Sequence, residues 1–223
     1  MAEVVVIVAA GPGLGLAVAR RFAREGWSVG LIARSSATLN GLVSVVRREA
    51  GVPVATATAD AGDESALRAA LRSVAGDLGE ASVLVYNGSA YAEGSVLTLT
   101  PTALRHVLEV GVTGALVAAQ EVAPAMRQRG SGAILLTGSV AADRASTSAA
   151  AVGVAKAGLR SIARSLHKEV AGSGVRVVSV TIAGALQGPR ALDVDAIAAR
   201  YWQLATGVTV PEAVETFPSP ASG

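Results

Sequence analysis

The chain has 223 residues and a net charge of only +2, is 51% hydrophobic and 3% aromatic, and contains no cysteine. That length fits one α/β domain with a sizeable core, and the missing cysteines exclude disulfides, thiolate metal sites and a cysteine nucleophile. Basic residues are spread along helical stretches such as Arg20/Arg21/Arg24 and Arg47/Arg48, with few aromatic rings to stack a base, so nucleic acid is not an expected partner.

No uninterrupted apolar run reaches the roughly 20 residues that cross a bilayer, and Met1 leads almost directly into a strand pattern. A cytoplasmic protein without a membrane partner is therefore expected. His106 and His167 both fall in helical patterns and read as surface or interface residues, so no metal site is expected.

Val4 to Val8 is β-branched and uncharged, as suits a central parallel strand buried on both faces. Leu14, Val18, Ala19 and Phe22 then recur at helical spacing. Between strand and helix lie Gly11, Gly13 and Gly15. A turn without Cβ atoms lets a pyrophosphate approach the free amides at a helix N-terminus, so this unit reads as a dinucleotide cradle.

Ser28 to Ala33 reads as the second strand, 37–50 as a helix ended by Gly51, and Val54 to Thr58 as the third strand. Asp63 is placed to cap a helix over Glu64 to Leu78, and Val83 to Tyr86 is the fourth strand. Thr100-Pro101 opens a long helix expected to run to about Arg129, bent near Pro124. Strand five is expected over 133–137, a second long helix over 150–171, and strand six over 175–182. Asp193 caps a shorter helix through Leu204, and 213–217 is a candidate edge strand. The alternation predicts an α/β Rossmann fold in a single domain over 1–216, a doubly wound parallel sheet flanked by helices, with a frayed tail over 217–223.

In such a sheet ligands sit at the carboxyl ends of the strands. The residues there carry a family pattern, and from Val4 to Leu204 the chain resembles the short-chain dehydrogenases/reductases. Their opening T-G-x-x-x-G-x-G falls on Val8 to Gly15, with Ala9 in place of the first glycine, and implies that Gly11, Gly13, Leu14 and Gly15 cradle the cofactor. Where the family carries an acid for NAD after strand two, this chain has Ala33, followed by Arg34 and Ser35. The resemblance therefore implies NADP(H), because a guanidinium binds a 2′-phosphate bidentately. Asp60-Ala61 matches the pair that contacts adenine. Tyr86-Asn87-Gly88-Ser89 matches the N-N-A-G segment, so Asn87 and Gly88, together with Gly184 after strand six, complete the implied cofactor set.

The reacting end departs from the pattern. The family's catalytic serine and lysine fall on Ser139 and Lys156, but the tyrosine position between them is Val152 and the asparagine position is Gly111. Lys156 is implied to hold the nicotinamide ribose as well as to act in catalysis. Tyr91 and Asp143 are the further candidates for supplying a proton. The reading is an NADP(H) oxidoreductase acting on a small organic substrate, with C=N or conjugated C=C favoured over a simple ketone. A non-redox lyase, isomerase or cyclase and an inactive cofactor-binding subunit are the alternatives. In the family the two long helices form the main subunit contact, so a homodimer or homotetramer is expected.

Overall fold

Val4–Val8, with no polar side chain to offer solvent, forms the buried central strand β1 of the computed structural model. The structure describes residues 3–186, 188–189, 191–207 and 212–218. After β1 the chain runs through α1 (Leu14–Arg24), β2 (Ser28–Ala33), α2 (Ser36–Ala50), β3 (Val54–Thr58), α3 (Glu64–Leu78) and β4 (Val83–Tyr86). It continues through α4 (Pro101–Leu108), α5 (Gly114–Arg129), β5 (Gly132–Ser139), α6 (Ala150–Glu169), β6 (Val175–Ile182), α7 (Val194–Thr206) and β7 (Val214–Phe217). Among the described residues the strands form one parallel sheet in the order β3-β2-β1-β4-β5-β6-β7.

Alternate strand residues supply two cores. Val4, Val6 and Val8 face α3, α5 and α6, whereas Val5 and Ile7 face α1, α2 and α7. On the second face Phe22, Trp27 and Trp202 meet edge to face with centroids 5.1–5.5 Å apart, and the Arg21 guanidinium lies 5.2 Å from the Trp202 ring centre. Trp27 sits just before β2, at the amino end of the strands.

Strands β1, β2, β3, β4 and β6 fall on the residues the pattern marks. Apart from shifts of one or two residues at the ends of α2, α6, α7 and β7, two elements differ. The helix from Pro101 is interrupted by a π turn at Glu109–Thr113, a single turn too short for apolar periodicity to single out in the sequence. β5 runs on to Ser139, putting that serine inside the strand rather than past it.

The whole helical stretch Pro101–Arg129 is long and apolar enough, by length and composition alone, to span a bilayer, a test that the core helix of a globular protein also passes. Alanine and valine raise its hydropathy, and 56% of its most apolar window is buried within the protein. Phe217 ends β7 rather than beginning a tail, and the remainder of that expected tail from Ser219 lies outside the described residues.

Candidate active site

The strand order reverses direction between β1 and β4, which opens a crevice beyond their carboxyl ends. A cleft of about 530 Å³ lies there, and Gly11, Arg34, Ser35, Asp60, Ala61 and Asn87 line it together. Nothing lies within 4 Å of where a Cβ would stand on Gly11 or Gly13, so the turn leaves space open. Gly13 is the N-cap of α1 and makes no side-chain cap hydrogen bond, while Leu14 and Gly15 begin the helix. The Leu14 and Gly15 amides thus point towards an anion site, whereas Leu16 N already donates to the Gly11 carbonyl at 2.9 Å. At Gly15 a Cβ would meet the Ala10 backbone at 3.1 Å, which is what lets the helix pack close against the strand end.

Ala9, at the position of the family's first glycine, has φ +57° and lines the cleft. A left-handed alanine costs about 1–2 kcal/mol, and an extra glycine costs the folded state about 0.4–1 kcal/mol through the unfolded chain. The difference favours glycine. Ala9→Gly is expected to raise stability by about 0.5–1 kcal/mol, read as a higher melting temperature; a lower one contradicts the strain argument.

Arg34 also lines this cleft and is exposed. Ser35 caps α2, its Oγ accepting from Thr38 N at 3.3 Å. Asp60 accepts from Gly62 N at 2.9 Å, folding the loop after β3 so that Ala61 faces the cleft. Thr38, Ser89, His106 and Val110, which no family motif marks as cofactor-binding residues, also line it. His106, in a helical pattern that suggests a surface or interface residue, instead faces the cleft from α4, and Val110 does so from the π turn that follows. His167 is engaged elsewhere, with Nδ1 3.1 Å from the Val177 carbonyl.

Ser139, Lys156 and Gly184 are not among the residues lining this cleft. Ser139 ends β5, and its Oγ accepts from Ala141 N at 3.2 Å; among the described residues nothing takes its hydroxyl proton. Lys156 is 6% exposed and donates to the Thr137 carbonyl at 2.8 Å; burial pushes its ammonium down to about 8. Val152 stands one helical turn before Lys156 on α6 and offers no donor. At Gly111 a Cβ would lie 3.0 Å from the Ala155 Cβ, so a larger side chain requires Ala155 to move. Gly184 is crowded similarly, a Cβ meeting Leu192 at 3.0 Å.

Asp143 forms a bidentate ion pair with Arg160, at 2.6 and 2.8 Å, and not with its neighbour Arg144 as local spacing suggests. The Arg160 guanidinium holds its carboxyl below the usual range, so it stays ionised near neutrality and has no proton to give. Tyr91 lines the cleft and is 66% exposed. Tyr86 and Tyr201 are buried. Burial raises both phenols; Tyr201 shares a hydrogen bond with Thr137 Oγ1 at 2.8 Å, and Tyr86 donates to the Val110 carbonyl.

The family model for the short chain dehydrogenases matches residues 3–188. The chain is 30% identical over 176 residues to 3-dehydrosphinganine reductase TSC10B of Arabidopsis thaliana, covering 78% of this chain but 52% of that one. It thus spans about half the length of the plant reductase. Over 184 residues it is 32% identical to 2-(S)-hydroxypropyl-CoM dehydrogenase 3 of Xanthobacter autotrophicus, covering 80% of this chain and 69% of that one. In fold it resembles the L-sorbose reductase of Gluconobacter frateurii solved with NADPH and L-sorbose, with TM-score 0.91, 23% identity and coverage of 98% and 95% of the two chains. Parallel sheet, glycine turn and matched sequence converge: the chain belongs to the short-chain dehydrogenase family, oxidoreductases built on an NAD(P)(H)-binding fold.

Proposed function

We propose that the chain is an NADP(H)-dependent oxidoreductase that reduces a small organic substrate at a C=N or conjugated C=C bond in preference to a simple ketone. The single observation that carries this reading is the pairing of Ser139 and Lys156 with Val152: two polar groups remain to orient a substrate, and the position between them cannot give a proton. A bound nicotinamide supplies the hydride. Ser139 donates its hydroxyl proton as a hydrogen bond to the substrate, and Lys156 holds positive charge at the reacting end. An iminium needs no proton at the reacting centre, and a conjugated acceptor takes its proton later from water. Asp143, locked to Arg160, is left out of proton donation; Tyr91 keeps an exposed hydroxyl at the cleft.

The NADP preference rests on the absence of a carboxylate directly after β2 and on Arg34, Ser35 and Thr38, which line the cleft together. Gly11, Gly13, Leu14 and Gly15 would hold the pyrophosphate, Asp60, Ala61, Asn87 and Gly88 the adenosine side, and Gly184 the nicotinamide side. The proposed assembly is a homodimer or homotetramer through α5 and α6, between which lies a groove of about 790 Å³ bordered by Leu116, Pro124 and Ile162.

The test is a calorimetric titration with NADPH and NADH, repeated on Arg34→Ala. Loss of a charge-assisted phosphate contact of about 1.5–3 kcal/mol weakens NADPH by about 10–100-fold and leaves NADH unchanged. Equal weakening of both sinks the 2′-phosphate assignment. NADPH oxidation that is faster with unactivated ketones than with imines or enones sinks the substrate preference. A non-redox activity, favoured by the loss of the tyrosine, shows instead as substrate conversion without a change in nicotinamide absorbance.

A further inference from the structure

Tyr86 occupies the position where the family pattern has a small asparagine, and the structure has made room for it. It ends β4, paired with Val8 of β1 and Leu136 of β5, and none of its surface is exposed. A Cβ added to Gly88 would stand 2.6 Å from the phenol ring, so the alanine of the family's N-N-A-G segment would collide with it. A Cβ on Gly114 would run into both the Tyr86 hydroxyl and the Ala61 carbonyl. The ring therefore fills the space bounded by the end of β4, the start of α5 and the loop after β3.

The hydroxyl donates to the carbonyl of Val110, inside the π turn. A π turn breaks the regular i→i−4 ladder, and a buried main-chain carbonyl at such a break gains a partner from outside the helix. Val110 in turn packs on the loop after β3, its Cγ2 lying 3.1 Å from where a Gly62 Cβ would be. Val110, Asp60, Ala61 and Asn87 all line the cleft, whereas Tyr86 does not. Burial, then the charge of Asp60, push the phenol's pKa up, so it stays a donor throughout the neutral range.

We propose that Tyr86 is a positioning residue for the nucleotide: its hydroxyl fixes the π turn through Val110, and its ring sets the spacing between that turn and the Asp60-Ala61 loop. The functional half of the proposal rests on the nucleotide-binding reading above; the structural half does not.

The test uses Tyr86→Phe, which keeps the ring and removes only the hydroxyl, with Leu71→Ala as a control that destabilises the same core layer without touching the cleft lining. Amide hydrogen exchange is expected to accelerate by about 10-fold in segments 60–62 and 109–114 and to stay unchanged elsewhere. Affinity for NADPH and NADH is expected to fall together by about 3–10-fold, the loss of one hydrogen bond's positioning, while Leu71→Ala leaves both affinities unchanged. Unchanged exchange in those segments overturns the proposal, and so does acceleration spread over the whole sheet. Local acceleration with unaltered nucleotide affinity overturns it as well. If the wild-type protein binds neither nucleotide, the oxidoreductase reading falls, and the exchange pattern alone still decides whether Tyr86 holds the π turn.

Discussion

Val152→Tyr is expected to raise the rate of unactivated-ketone reduction by about 10²-fold or more, measured as NADPH oxidation. A positioned general acid contributes about 10²- to 10⁴-fold, and the substitution places a phenol one helical turn before Lys156. The lysine is already prepared for it: Lys156 is buried, held by the Thr137 carbonyl, and carries an ammonium whose charge lowers the pKa of an adjacent phenol. Reduction of an iminium, which takes no proton at the reacting centre, should change little. A variant that binds NADPH but gains no ketone activity would show that the proton was not the missing part, and would move the reading towards non-redox chemistry or an inactive subunit.

Gly114→Ala is expected to destabilise the protein by about 3 kcal/mol or more, a fall of about 6–12 °C in melting temperature for a chain of this size. The sign is diagnostic, because glycine to alanine inside a helix ordinarily stabilises by about 1 kcal/mol. Here the added methyl meets the Ala61 main chain, which cannot swing aside as a flexible side-chain end can. Gly76→Ala on α3, where nothing lies within 4 Å of the new Cβ, is the matched control and should stabilise. If Gly114→Ala also stabilises, α5 does not approach the loop after β3 as closely as described.

The buried parallel strands were legible because each is a short apolar run covered on both faces, and a run of that kind between helical patterns has few other readings. The glycine turn was legible for the same reason, flanked by its strand and helix. What the sequence hid was contact between distant residues. Asp143 stands next to Arg144 in the chain, yet the folded helix α6 presents Arg160 to it. Tyr86 and Val110 are 24 residues apart, and no periodicity links them. The π turn is a single turn within a continuous helical pattern, and His106 reveals its cleft position only once α4 is docked. Local pattern specifies the elements; side-chain partners across elements follow from packing.

The aromatic triad on the α1–α7 face has a spectroscopic consequence. Both tryptophans of the chain belong to it, and Trp27 marks the amino ends of the strands, opposite the carboxyl ends where the cleft opens. Indole emission therefore reports on the seam between α1 and α7. Nucleotide binding has no tryptophan in the cleft lining to quench by contact, so the reduced nicotinamide's own emission is the direct optical signal. A melt followed by indole emission tracks separation of that seam, and its agreement with circular dichroism tests whether the two helical layers leave the sheet in one cooperative step.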